Sequence, residues 1–155
     1  MAHSRVTRCQ AFIIKEGKIL ILHQYNSKRK DHYWQLPGGS LEEGETPEKG
    51  VIRELKEEID LDIEVEKLLF NQTADVDVYK NYMSFLCKPL SEIHIIGENN
   101  PDHKILEAVW VPILDRSSWD KGLLAEKFYP PMEYIRKWYE ENNDIEVKLC
   151  VQKKQ

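Results

Sequence analysis

The sequence is short of everything that would staple, anchor or link it. It holds only three cysteines, Cys9, Cys87 and Cys150. They lie far apart, their number is odd, and no Cys-x-x-Cys occurs. That argues against a disulfide framework and a structural zinc site, and the expected setting is a reducing cytoplasm with free thiols. No apolar run approaches the ~20 residues a membrane-crossing helix needs, and the first residues hold no signal-like apolar stretch. Neither a membrane partner nor secretion is expected. A basic excess is also missing: 22 Lys and Arg stand against 27 Asp and Glu, a net charge of −5. Generic nucleic-acid binding wants a basic face, so it is not expected. A small anionic substrate stays open, because a bound cation can reverse the sign of a site. Repeats, low-complexity tracts and Gly/Ser linkers are absent. What remains is 155 residues, 41% apolar and 32% charged, the composition of one globular domain over 1–155 with a core of its own.

Periodicity places the elements. Cys9 to Ile14 and Lys18 to His23 are apolar runs around Lys15-Glu16-Gly17, a β-hairpin pattern with Gly17 in the turn. Asn26 to His32 is polar and basic and is expected to be a loop. Tyr33 to Leu36 is a short strand stopped by Pro37-Gly38-Gly39. A helix should start at Thr46, a good N-cap, with Pro47 in the first helical position and Glu48 at the positive end of the dipole. Val51, Ile52, Leu55 and Ile59 form its apolar stripe, and it should end near Asp60. Ile63 to Phe70, Val76 to Leu86 and Leu106 to Val111 follow as strands. A second helix should run from Pro130 or Pro131 to about Glu141, burying Met132, Ile135, Trp138 and Tyr139. Ile145 to Val151 alternates as a C-terminal strand that could close this sheet or add to a partner's edge. The expected fold is α/β (α+β type), an α/β/α sandwich around a mixed sheet, monomeric or homodimeric.

The chemistry is concentrated on the first helix. Glu54, Glu57 and Glu58 stand at i, i+3 and i+4, so Glu54 and Glu58 are only about 40° apart around the axis. Like charges at these spacings cost about 0.2–0.5 kcal/mol each in an isolated helix. A solvated face tolerates that cost, and a divalent cation held by hard carboxylate oxygens turns it into a gain. Pro37-Gly38-Gly39 just upstream lets backbone approach a ligand closely. Arg53 is i, i+4 to Glu57 and can orient one carboxylate without neutralising all three.

Residues 39–61 resemble the Nudix box, G-x5-E-x7-R-E-U-x-E-E-x-G-U, with U a bulky apolar residue. Here it runs Gly39, five residues, Glu45, seven residues, then Arg53-Glu54-Leu55-Lys56-Glu57-Glu58-Ile59-Asp60-Leu61. Every defined position fits except the last glycine, which is Asp60. Trp34, Leu36-Pro37-Gly38-Gly39 and Trp110-Val111-Pro112 are similar to the family's surroundings of the box, so the resemblance covers about residues 5–141. Aspartate is among the few residues besides glycine that visit the left-handed region, so Asp60 implies strain at a helix end rather than lost chemistry.

The resemblance implies a Nudix-type pyrophosphohydrolase of acid anhydrides. Such enzymes split the diphosphate of a nucleoside diphosphate linked to another group, with Mg²⁺, or Mn²⁺ in its place. Carried over by position, Glu54 and Glu58 are the main metal ligands, Glu57 a third and the Gly38 carbonyl a backbone ligand. Arg53 holds Glu45 or Glu57. The general base is Glu54 or a carboxylate outside the box, Glu98 or Glu107. Gly39, Arg29, Tyr79 and Tyr82 are the candidate substrate contacts. The substrate is a small nucleotide: a nucleoside triphosphate, ADP-ribose or a nucleotide sugar, or a dinucleoside polyphosphate or capped RNA. Compact size favours the triphosphate. The alternative is a Nudix-fold nucleotide-binding or regulatory module with weak or lost catalysis. His23, His32, His94 and His103 show no metal-ligand spacing.

Overall fold

The computed structural model describes residues 7–76, 79–95, 103–115 and 133–142. Within them the chain runs β1 (Thr7–Lys15), β2 (Lys18–Asn26), β3 (Asp31–Gln35), β4 (Gly38–Ser40), α1 (Pro47–Ile59), β5 (Ile63–Val76), β6 (Tyr79–Pro89) and β7 (His103–Pro112). A second helix, α2, occupies 133–142. The strands form one seven-stranded mixed sheet in the order β3-β2-β1-β6-β5, with β4 added on β1 and β7 on β2. β1 and β6 are parallel. The other pairs are antiparallel.

Strand alternation divides the apolar residues between two layers. Cys9, Ala11 and Ile13 of β1 and Leu20 and Leu22 of β2 pack with Val51, Leu55 and Ile59 of α1. Phe12, Ile19, Ile21 and Val111 point the other way, to Ile135 of α2, with Trp138 and Tyr139 against the same cluster. Successive strand residues face opposite sides, so two apolar runs supply both cores. The expected α/β/α sandwich is the observed one. No helix among the described residues is long and apolar enough to cross a membrane.

The β1–β2 hairpin turns at Glu16 (φ 53°) and Gly17 (φ 76°), both left-handed, as a tight two-residue hairpin requires. β1 and β2 then separate: they pair only at Ile14–Ile19 and Lys15–Lys18. Further along, β2 takes β3 as its neighbour and β1 takes β4. The chain crosses this gap through Leu36-Pro37, with the Ala11 N–H donating to the Pro37 carbonyl at 2.9 Å. Gly38 lies at the crossing with φ 151°, and a Cβ there would overlap the Cys9 carbonyl oxygen. Only glycine passes so close to β1. The gap between β1 and β2 thus delivers glycine backbone to the face on which α1 lies.

Several sequence expectations need correction. Asn26–His32 is not a loop: β2 reaches Asn26 and β3 begins at Asp31. The turn is short because the Asn26 Oδ1 accepts from the Lys28 and Arg29 N–H groups, both at 3.0 Å. This side-chain closure takes the place of extra backbone. β3 stops before Pro37 as expected, but Gly38–Ser40 then starts a new strand, which pairs with β1. Val76 closes β5 rather than opening the next strand. Ile52 is 41% exposed, so the buried stripe is Gly50, Val51, Leu55 and Ile59. Ile52 lies roughly 100° from Val51 around the axis, at the stripe's margin. Pro130, Pro131, Met132 and the expected strand at 145–151 lie outside the described residues.

Candidate active site

Both ends of α1 are locally determined. The Thr46 Oγ1 accepts the Lys49 N–H at 3.3 Å, and Pro47 follows in the first turn. At the other end Asp60 is left-handed (φ 50°, ψ 36°). Its N–H reaches the Lys56 carbonyl at 3.1 Å, and the Leu61 N–H reaches the Leu55 carbonyl at 3.3 Å. This double closure satisfies the last carbonyls of the helix. Asp60 therefore does the conformational work expected of the missing glycine. Its carboxylate also pairs with Lys56 Nζ at 2.9 Å, which the sequence reading did not include.

Arg53 organises the carboxylates. Its Nε donates to Glu45 Oε2 at 2.7 Å and its Nη2 to Glu45 Oε1 at 3.1 Å. Nη2 also donates to the Ser40 carbonyl at 3.0 Å, tying α1 to β4. Nη1 lies 3.1 Å from Glu54 Oε1 and 3.1 Å from Glu57 Oε2. The bidentate bond keeps Glu45 ionised, its pKa lowered by Arg53. Gly50 leaves the space this requires, since a Cβ there would stand 3.0 Å from Leu41 Cδ1 and 3.1 Å from Glu45 Oε1. Gly50 is thus a close-packed position of the helix.

Glu58 turns its Oε1 toward the Gly38 N–H at 2.8 Å. Gly39 packs on the Glu54 carboxyl so closely that a Cβ would collide with it. The two glycines are thus seated on the two carboxylates that the sequence singles out. Burial raises the Glu58 pKa to about 8 against the opposing pull of Arg8, with Glu54 adding to the rise. Burial also raises that of Glu54, partly offset by Arg53. Two half-buried acids are held together here with incomplete compensation, an arrangement that favours a cation.

Among the described residues, no three His, Cys, Asp or Glu side chains converge as a ready metal cage. Glu57 is engaged by Arg53 and its side chain is 54% exposed. Glu54 and Glu58 remain, and Mg²⁺ is commonly held by one or two carboxylates completed by water and substrate phosphates. The residues present fit such an ion.

The remaining candidates are dispersed. Glu107 sits opposite His23 in register, on the face of Ile21 and Val109 away from α1, with its Oε1 3.5 Å from His23 Nδ1. It is not brought to Glu54. Glu98 lies outside the described residues. Arg29 pairs with Asp31 at 3.3 Å and stands 5.7 Å from the centre of the Tyr33 ring. Tyr82 is buried in β6 opposite Arg8, and Tyr79 belongs to β6 with its side chain outside the description. His23 stacks on Trp34 at 4.2 Å and meets His32 at 3.0 Å, on the far face from the carboxylates.

Sequence reasoning missed a buried polar chain at the same place. Arg8, 5% exposed, donates to the Leu36 carbonyl at 2.9 Å and to Gln10 Oε1 at 3.4 Å, while Gln10 Nε2 donates to Ser84 Oγ at 2.9 Å. Arg8 thereby anchors the approach to Gly38, and its charge acts on both Glu54 and Glu58. The available signal was polar residues, Gln10 and Gln24, inside otherwise apolar strands.

Comparison with known proteins agrees with this geometry. The NUDIX domain family model matches residues 5–139. The chain is 31% identical over 107 residues to Nudix hydrolase 5 of Arabidopsis thaliana, covering 66% of this chain and 35% of that protein. It is 39% identical over 49 residues to an 8-oxo-dGTP diphosphatase of Proteus vulgaris, covering 32% of this chain and 44% of that protein. Among solved structures, the MutT protein of Methanosarcina mazei superimposes with a TM-score of 0.65 at 19% identity, covering 88% of this chain and 94% of that one. The chain therefore spans less than half the length of these two curated relatives. It belongs to the NUDIX domain family.

Proposed function

We propose that the chain is a Mg²⁺-dependent pyrophosphohydrolase that cleaves the diphosphate linkage of a nucleoside diphosphate joined to another group, with Mn²⁺ able to substitute. One observation carries this reading: Glu54 and Glu58 are held side by side on α1 and are each in contact with the Gly38-Gly39 backbone. Glu54 and Glu58 would hold the cation with the Gly38 carbonyl, and Glu57 would join once released from Arg53. Bound there, Mg²⁺ supplies Lewis-acid polarisation of a phosphoryl oxygen and a more acidic water. Glu54 is the general base in this reading, because it is the carboxylate that Arg53 and Gly39 both position. Arg53 is a positioning residue. Cys9 and Cys87 are both free and buried, which fits a reducing cytoplasm.

The name of the Proteus relative points to a nucleoside triphosphate, so triphosphates are the first arm of the test. Hydrolysis is screened over triphosphates, ADP-ribose, nucleotide sugars and dinucleoside polyphosphates, with and without Mg²⁺, and the products are identified. Mg²⁺-dependent cleavage within a diphosphate is expected. Glu54→Gln and Glu58→Gln should each lower kcat by at least ~100-fold. Near-normal turnover in both variants would overturn the site. No turnover on any nucleotide, with nucleotide still bound, would make the chain a binding module.

A further inference from the structure

Three consecutive residues at the gap between β1 and β2 are each held from a different side. The Leu36 carbonyl accepts from Arg8 Nη2 at 2.9 Å. The Pro37 carbonyl accepts from the Ala11 N–H at 2.9 Å. The Gly38 N–H donates to Glu58 Oε1 at 2.8 Å. A side chain of β1 makes the first bond, its backbone the second and a side chain of α1 the third.

These bonds give the Gly38 carbonyl a direction. In an antiparallel pair, alternate residues bond the neighbouring strand. Pro37 and Leu41 bond β1, Leu41 through its N–H to the Thr7 carbonyl at 3.1 Å. Gly38 is out of phase with both. It therefore turns its N–H and its carbonyl away from β1, and the N–H is found on Glu58.

Arg8 is set firmly in place for its part in this. It is 5% exposed, and a guanidinium taken out of water is costly unless its surroundings hold it well. Its Nε donates to Gln10 Oε1 at 3.4 Å, and Gln10 Nε2 donates to Ser84 Oγ at 2.9 Å. Gln10 and Ser84 are fully buried and stand opposite each other on β1 and β6. The chain Ser84–Gln10–Arg8–Leu36 thus runs from β6 across β1 to the residue two before Gly38. A buried polar chain with its members bonded specifies one arrangement of its side chains.

We propose that Arg8 is a positioning residue for the metal site: by holding the Leu36 carbonyl it fixes the Gly38 backbone beside Glu58, and so sets the affinity for the cation. The inference rests on the metal-dependent reading above. Groups that orient metal ligands without touching the metal change its affinity by about 10- to 100-fold when lost.

A neutral substitution separates position from charge. Gln10→Leu removes the acceptor that aims Arg8 and leaves every charge in place. The test measures the Kd of Mn²⁺ by electron paramagnetic resonance, without nucleotide, in the wild type, Arg8→Met, Gln10→Leu and the double variant, with circular dichroism as the check on folding. Arg8→Met should weaken Mn²⁺ binding by at least about tenfold. Gln10→Leu should weaken it by about threefold or more, and should add nothing in the Arg8→Met protein, because its effect passes through Arg8. A folded Gln10→Leu protein with wild-type Mn²⁺ affinity would overturn the proposal and leave Arg8 acting through its charge alone. Fully additive losses in the double variant would overturn it as well. If Arg8→Met does not fold, Gln10→Leu decides. A wild type that binds Mn²⁺ but cleaves no nucleotide fails the hydrolase reading alone, and the Kd values still decide this one. A wild type that binds no Mn²⁺ ends both.

Discussion

Arg53 grips Glu45 through two parallel hydrogen bonds, at 2.7 and 3.1 Å, across eight residues of sequence. The same guanidinium reaches Glu54, Glu57 and the Ser40 carbonyl. Lysine carries the charge but not the fork, so it cannot make these contacts at once. Arg53→Lys should therefore lower kcat about 10- to 100-fold, the usual cost of losing a residue that orients metal ligands. Glu45→Gln should fall in the same range, and the double variant should lose little more than either single one, because the two residues act as one clamp. Steady-state kinetics on the four proteins of the cycle would show this. Additive losses would mean that Glu45 and Arg53 act separately.

Gly38 and Gly39 should fail differently when replaced by alanine. At Gly38 the added methyl meets the backbone of Cys9 and Gln10, and φ is 151°. Neither obstacle can move, so Gly38→Ala should destabilise by at least ~2 kcal/mol. At Gly39 the obstacle is the Glu54 carboxyl, the end of a flexible side chain. Gly39→Ala should fold with a Tm close to the wild type and lose at least ~100-fold in kcat, because Glu54 is displaced. Calorimetry and kinetics on the same samples separate the two effects. A normally active Gly39→Ala protein would detach Glu54 from the chemistry.

The parts of this site that could be read from sequence are those specified by neighbours along the chain. Thr46, Pro47 and the Val51/Leu55/Ile59 spacing announce α1, and Glu54 and Glu58 follow onto one of its faces by helical geometry. Asp60 in the left-handed cap was legible for the same reason. The crossing from β3 to β4 was not, because it depends on β1 and β2 parting after two paired positions. Arg8 was hidden because a charged residue at the start of a strand resembles an exposed end. Its burial goes with the bond to the Leu36 carbonyl, a partner that only tertiary pairing supplies. Glu107 was a candidate by proximity to Trp110-Val111-Pro112, and strand alternation set it on the opposite face.

Cys87 should make the protein sensitive to alkali. It is 2% exposed, and burial, with a smaller push from Glu66, raises its thiol from 9.0 to about 12. The folded state thus keeps a proton that the unfolded state releases above pH 9. The resulting stabilisation is complete below that pH and is lost as pH rises toward 12, at up to about 1.4 kcal/mol per pH unit. Cys87→Ala should remove this share of the alkaline loss. Urea midpoints at pH 8 and pH 10.5 give the measurement: the drop between them should be smaller in Cys87→Ala. An equal drop would place the alkaline sensitivity elsewhere.

Asp60 tests how far a helix cap can depart from glycine. Its left-handed backbone strains any side chain, and aspartate less than most. Its carboxylate gains Lys56 at 2.9 Å, and the His94 ring stands 3.9 Å away. Asp60→Gly removes the strain but gives up the ion pair, and exposed pairs of this kind contribute little. Asp60→Ala keeps the strain, worsens it and also loses the pair. The expected order of Tm is therefore Asp60→Gly highest, wild type next and Asp60→Ala lowest, with turnover nearly unchanged in both variants. Raising the salt concentration should widen the gap between Asp60→Gly and the wild type, because only the wild type has the pair to lose. An Asp60→Gly protein that melts below the wild type at every salt concentration would show that the Lys56 pair, and not backbone freedom, holds the end of α1.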